Sequence, residues 1–328
     1  MSVLARLYAL AVLGLALGGV ALGGVAAAHA TDVNFITDFG YNGRHSYFYV
    51  ALDKGYYKAE GLNVTILRGQ GSIDAIKKVA SGAAMIGFAD AGALVLARSN
   101  DAIPVKLLAV VYAKPPHAIF ALADSGIKTP RDLEGKTVAD SAFSAIPLIF
   151  NAYAQAAGVD PKKVKWVSAE SASLPSLLAT GRVDAIGQFT VGEPLIDASV
   201  RPRKLIRLAY KDGGLDYYGN GLIATEQTIK ENPDLLKAFV RATLKGMRDA
   251  FANPSEAGVI LNRYHKEISP EVGTGETELV KELAVLPDRP LGAIDEEHLK
   301  QTIDIVAKSY PINRPVDPKD MFAPGFIE

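Results

Sequence analysis

Residues 62–90 read LNVTILRGQGSIDAIKKVASGAAMIGFAD, and this stretch holds one complete unit of a fold. Leu62 to Leu67 alternates apolar and polar side chains with β-branched residues among them, as a half-buried strand does. Ile73 to Ser81 follows with apolar residues three and four apart, the spacing of a helix with one packed face. Met85 to Ala89 is an apolar run of strand length. Strand, helix and strand in succession imply a βαβ unit, hence a parallel sheet covered by helices on both faces.

The same rhythm extends outward. Upstream, Val33 to Phe39 reads as a strand and Arg44 to Asp53 as a helix, with Gly55 after Lys54 suited to a helix C-cap. Downstream, Ala91 to Ser99 is helical and Val105 to Val111 a strand. The pattern restarts with strands at His117 to Leu122, Val138 to Ala139, Val164 to Val167, Ala185 to Gln188 and Leu205 to Leu208. Among them come a Thr129-capped turn with Pro130 at its first position and helices at Ala145 to Ala157 and Leu174 to Thr180. From Glu226 the chain is predominantly helical. Two α/β units followed by helices predict a two-lobed α/β protein, each lobe a sheet flanked by helices, with a ligand cleft between. Lobe 1 is expected at residues 32–115 plus 220–328 and lobe 2 at 116–219, so the chain crosses twice.

Composition narrows the classes. Thirty-five Lys and Arg against 36 Asp and Glu leave a net charge of −1, without the excess of positive charge that nucleic acid attracts. No cysteine is present, which excludes disulfides, thiolate metal sites and cysteine nucleophiles. Residues 1–30 carry Arg6 as their one charge, an unbroken apolar and glycine run from Leu7 to Ala28, and small residues at Ala28-His29-Ala30: a secretory signal peptide. A membrane anchor is the alternative, because such a run could cross ~30 Å of hydrocarbon. Five glycines in the run and polar Thr31-Asp32 after it favour cleavage. The expected product is a soluble periplasmic monomer with net charge −2.

Residues 37–57 (TDFGYNGRHSYFYVALDKGYY), 82–92 (GAAMIGFADAG), 132–138 (DLEGKTV), 181–186 (GRVDAI) and 315–318 (PVDP) together carry a resemblance. The chain resembles the substrate-binding proteins of ABC importers for nitrate, sulfonates, taurine and pyrimidine precursors of thiamine, with the closer likeness to the pyrimidine-precursor branch. The resemblance implies the periplasmic binding protein fold, whose lobes close about two crossovers on a small-molecule solute and present it to a membrane permease. It implies neither cofactor nor metal.

Loops after parallel strands face the cleft, so the candidates are the residues there. Phe39, Asn42 and His45 follow the first strand. Ser72 opens a helix after the second, where it could present a helix N-terminus to a ligand or simply cap. Asp90, after the third, could accept from a ligand amine or cap the next helix. Ser141 and Ser144 flank Phe143 in the second lobe. By likeness to the family, Phe189 and Glu193 contact the ligand; core packing and a helix first turn are their alternatives. Tyr218, with Tyr217, sits near the return crossover and could stack on the solute or pack against the hinge. The nominated region holds Arg44 and Lys114 against Asp38, Asp90, Glu193 and Asp216, and it is rich in rings. That balance suits a flat nitrogen heterocycle with an amino group better than nitrate or a sulfonate. The rival classes are a pyrimidine-synthesising enzyme of the same fold, disfavoured by the lack of cysteine for its iron loop and by the signal peptide, and a sensor partner.

Overall fold

The computed structural model describes residues 30–327; the segment read as a signal peptide lies outside the described residues except for Ala30. Five strands form the first sheet: β1 (Thr31–Ile36), β3 (Leu62–Leu67), β5 (Ile86–Asp90), β6 (Val105–Val110) and β12 (Asn220–Thr225), in the order β3-β1-β5-β12-β6. The second sheet holds β7 (His117–Leu122), β8 (Thr137–Asp140), β9 (Lys165–Ser168), β10 (Ala185–Phe189) and β11 (Leu205–Ala209), in the order β11-β7-β10-β8-β9. A short pair, β2 (Phe39–Gly40) with β4 (Gly69–Gln70), completes the set. Helices flank both sheets, and the molecule has the periplasmic binding protein fold in two lobes.

Position in the sheet explains the burial of each strand. The edge strand β3 alternates buried and accessible residues at its start, whereas β5, with a strand on either side, is buried along its whole length. Phe35 of β1 packs on Phe48 at 4.5 Å and Phe239 at 5.3 Å, joining the sheet to helices Ser46–Asp53 and Pro233–Ala252. The wholly parallel sheets expected from the strand–helix rhythm need correction. β12 runs antiparallel to β5 and β6, and β7 antiparallel to β10 and β11. These are the two strands that follow a change of lobe, and each enters its new sheet without the crossover helix that enforces parallel direction.

The two crossings, residues 111–116 and 210–219, lie side by side. Val111 and Tyr112 both donate N–H groups to the Asn220 carbonyl, and the Gly219 N–H reaches Tyr112 O at 2.9 Å. Both segments are closely packed, with Tyr112, Tyr217 and Tyr218 fully buried. Away from the crossings the lobes also touch directly: Ser141 Oγ donates to Gln70 O at 2.6 Å and the Ile73 N–H to Phe143 O at 3.1 Å.

Candidate functional site

Three strands run into a buried acid at their carboxyl ends: Asp38 just beyond β1, Asp90 at the end of β5 and Asp140 at the end of β8. A carboxylate so placed must find donors or give up its charge. Asp38 finds three: Arg44 Nη2 at 3.1 Å, His45 Nε2 at 2.7 Å and Asn220 Nδ2 at 2.8 Å. Burial by itself would raise its pKa, but the Arg44 charge and the His45 hydrogen bond hold it below the usual value. Burial lowers the His45 pKa despite the facing carboxylate, so the neutral ring donates from Nε2 and leaves Nδ1 as an unpartnered acceptor.

Asp140 has the opposite fate. Burial pushes it up to about 8, outweighing the Ser141 N–H that bonds it at 2.6 Å. It lies against Gly187 of β10, where a Cβ would collide with the carboxylate, so glycine is what admits an acid beside that strand. Glu276, from the helix Pro270–Ala284, accepts the Arg44 backbone N–H at 2.7 Å, and burial raises it to about 7 despite the Arg44 charge.

Arg44 lies at the boundary of the lobes, 1% exposed. Its Nη1 donates to Gln188 of lobe 2 at 2.9 Å while Nη2 holds Asp38 of lobe 1. Its guanidinium carbon lies 5.0 Å from the Phe189 ring centre and 5.5 Å from that of Phe39. Beyond Phe189, His117 forms the middle of an aromatic box: Phe189 at 4.9 Å edge-on, Tyr217 at 5.3 Å and Tyr210 at 5.8 Å. Asp90 Oδ2 stands 3.3 Å from His117 Nε2 but off hydrogen-bond geometry. Around this boundary Arg44 Nε, Asp90 Oδ2, Asp140 Oδ2, Tyr217 OH, Asn220 Oδ1 and Glu276 Oε1 are all buried without a protein partner. Each such atom costs about 1–3 kcal/mol unless something else satisfies it. A cavity of about 450 Å³ opens between the lobes beside them, with Phe39, Tyr41, Asn42, Arg68, Ser171 and Gln188 in its wall.

The nominated residues divide by location. Phe39, His45, Asp90 and Phe189 meet in or next to this boundary. Asn42 is buried at the cavity rim and donates to Phe39 O. Ser72 does not cap its helix: Gly71 holds the N-cap position, and the Ser72 hydroxyl accepts the Asp90 N–H at 3.1 Å. Ser141 spans the lobes, and Ser144 Oγ accepts the Ile146 N–H where the helix Ile146–Ala157 begins. Two of the nominated residues lie apart from the Arg44 cluster. Glu193 starts the helix Glu193–Val200, pairs with Arg207 of its own lobe and lines a second groove, walled by Asp197 and Arg201 on one side and by Ser269, Glu271 and Val272 of lobe 1 on the other. Tyr218 turns away from the boundary; its hydroxyl accepts the Asp295 N–H at 2.9 Å, and its ring leans on His298. Lys114 and Asp216 are likewise outside, Lys114 on the Glu282 carbonyl and Asp216 facing His298.

Asp140, Glu276 and His117 were not among the nominated residues. Asp140 carries the same signature as Asp90, an acid closing an apolar strand, and could have been found by it. Glu276 lies on a helix far along the chain, and nothing local in sequence connects it to Arg44. Among the described residues no cluster of His, Cys, Asp and Glu is arranged to hold a metal ion.

Two lobes that meet over buried acids and rings define a solute-binding fold. The chain belongs to the NMT1/THI5-like family, which matches residues 42–257. It is 28% identical over 296 residues to the formylaminopyrimidine-binding protein of Halalkalibacterium halodurans, covering 89% of each chain. It is 24% identical over 299 residues to the riboflavin-binding protein RibY of Chloroflexus aurantiacus, covering 85% of this chain and 81% of RibY. A more distant relative, 25% identical over 225 residues, is the 4-amino-5-hydroxymethyl-2-methylpyrimidine phosphate synthase of Legionella pneumophila; 67% of this chain and 69% of the synthase align. In fold, the periplasmic aliphatic sulphonate binding protein SsuA of Escherichia coli superposes with a TM-score of 0.66 at 15% identity, over 90% of this chain and 94% of SsuA.

Proposed function

We propose that this protein is the periplasmic solute-binding component of an ABC importer, taking a flat nitrogen heterocycle with an amino group into the interlobe boundary and presenting it to a membrane permease. The observation that carries the reading is the chemistry gathered there. Rings from both lobes, Phe39 and Phe189, stand beside a planar cationic group, with His45, Tyr112 and Tyr217 nearby. Buried Asp38 and Asp90 stand beside Arg44, the one buried cation among the described residues, and burial holds Asp140 and Glu276 up at about 8 and about 7. The unpartnered Asp90 Oδ2 and Asn220 Oδ1 suit a solute that donates from amino groups, whereas the buried Arg44 cation that nitrate or a sulfonate would need is already engaged by Asp38 and Gln188. The two relatives named for a formylaminopyrimidine and for riboflavin support the same class.

Calorimetry with an aminopyrimidine, riboflavin, taurine and nitrate tests the reading. A heterocycle is expected to bind and the two anions not to; Phe189→Ala should weaken the complex about tenfold or more through the lost ring contact and burial. Binding of taurine or nitrate alone would overturn it. The synthase relative favours a second, enzymatic reading. Absence of any cysteine argues against an iron loop built as in the fungal enzyme, and release of a pyrimidine product from pyridoxal phosphate would establish catalysis if it occurred.

A further inference from the structure

We propose that Arg44 is an internal occupant of the solute seat: in the free protein its guanidinium takes the place of a planar, amino-bearing group and bolts the two lobes together, and the solute must displace it. The inference rests on the reading of the interlobe boundary as the solute site. Its structural basis is fourfold. The guanidinium is flat and presents N–H donors along an N–C–N edge, the arrangement an amidinium or a ring-protonated aminopyrimidine also presents. It is flanked by Phe39 and Phe189, one ring from each lobe, with 5.5 and 5.0 Å from its carbon to the ring centres. Its two acceptors also come one from each lobe, Asp38 and Gln188. Finally, its Nε has no partner although the residue is 1% exposed, so the contact is not the fully satisfied ion pair that a purely structural buried arginine would make.

A seat that accepts a guanidinium in this way selects for a planar solute with adjacent N–H donors, one directed at Asp38 and one at Gln188. It discriminates against a tetrahedral or non-donating cation of equal charge. Gly43 and Glu276 fix the backbone from which the Arg44 side chain springs, through the Arg44 N–H bond to Glu276, so the side chain can leave the seat while its Cα stays anchored.

The experiment is chemical rescue. Solute-free Arg44→Ala protein is compared with wild type by small-angle scattering and thermal unfolding, with millimolar methylguanidinium or tetramethylammonium as added probe. Arg44→Ala is expected to have the larger radius of gyration. Methylguanidinium should restore the wild-type value and raise Tm, while tetramethylammonium does neither. Aminopyrimidine should bind Arg44→Ala about tenfold more tightly than wild type, because the competing occupant is gone. A solute-free Arg44→Ala protein as compact as wild type and indifferent to methylguanidinium would overturn the proposal. If Arg44→Ala does not fold, Gln188→Ala, which keeps the Arg44–Asp38 pair, decides it. Expansion of the free protein supports the bolt, and an unchanged profile refutes it. Failure of the wild type to bind any heterocycle, with methylguanidinium rescue intact, would sink the proposed solute class and leave the seat standing. Heterocycle binding equal in wild type and Arg44→Ala would do the reverse.

Discussion

Gly71 is the residue at which lobe contact can be broken most cleanly. A Cβ built there would overlap the Phe143 carbonyl group and lie 2.8 Å from Phe143 Cβ; the three nearest atoms all belong to that one residue of the other lobe. Gly71→Ala therefore cannot coexist with the lobe contact as it stands, and the 141–144 loop must retreat. Two interlobe hydrogen bonds go with it, Ile73 N–H to Phe143 O at 3.1 Å and Ser141 Oγ to Gln70 O at 2.6 Å. At about 0.5–1.5 kcal/mol each, their loss disfavours the closed arrangement by about 1–3 kcal/mol. Apparent affinity scales with the population of the binding-competent state, so the expected loss is roughly 5- to 150-fold. Calorimetry with the bound heterocycle gives the affinity, and scattering at saturation gives the compactness. The variant should be more expanded than the wild type both without solute and at saturation, while still unfolding in one cooperative transition. Wild-type affinity together with a wild-type compact profile would show that closure at Gly71 has no part in binding.

Other outcomes follow from the placements above. Glu193→Gln should leave solute binding unchanged and cost less than about 1 kcal/mol of stability, since its partner Arg207 is on the surface of the same lobe; a tenfold affinity loss by calorimetry would contradict that placement. Tyr218→Phe should lower stability by about 1 kcal/mol in denaturant titration, through the orphaned Asp295 N–H, with no change in affinity. The carboxyls of Asp140 and Glu276, raised to about 8 and about 7, are protonated in the folded state where the unfolded chain would ionise them. Their contribution is therefore complete below pH ~4 and is lost as pH rises toward 8. His45, His265 and His298, whose pKa values burial lowers, contribute in the opposite sense, so the check is differential: from pH 4 to 8.5 the thermal midpoint of Asp140→Asn should gain on that of wild type, and parallel curves would contradict the raised Asp140 pKa.

Much of this architecture is written in local pattern. The apolar run ending in Ala89-Asp90 and the alternation of Leu62 to Leu67 specify strands because burial on two faces or one leaves a distinct periodicity. Strand direction is not local. His117–Leu122 and Asn220–Thr225 look like any other strands, and only the partners they meet in the folded molecule make them antiparallel. The same divide runs through the site. Asp90 ends β5 and His45 lies in the first turn after β2, positions that local pattern gives, whereas Glu276 reaches Arg44 from a helix distant in sequence. Glu193 lies apart from the Arg44 cluster because position after a strand fixes where a backbone is but not where its side chain turns, and here it turns to Arg207 of β11.

The place of β12 between β5 and β6 dictates the order in which the molecule can be completed. Its six residues come from beyond the whole of the second lobe, yet they supply the strand that both β5 and β6 need as a neighbour. A chain emerging from its amino end can close the second sheet, whose strands run consecutively from His117 to Ala209, before the first sheet has the strand that joins β6 to the rest. The first sheet stays divided until Asn220–Thr225 arrives, and it is fastened last of all when the Ala323 N–H reaches Leu107 O. Such long-range closure is slow, and it keeps the amino-terminal third of the chain without a finished core throughout synthesis. Under the periplasmic role proposed above, which needs the chain unfolded at the membrane, that delay is supplied by topology.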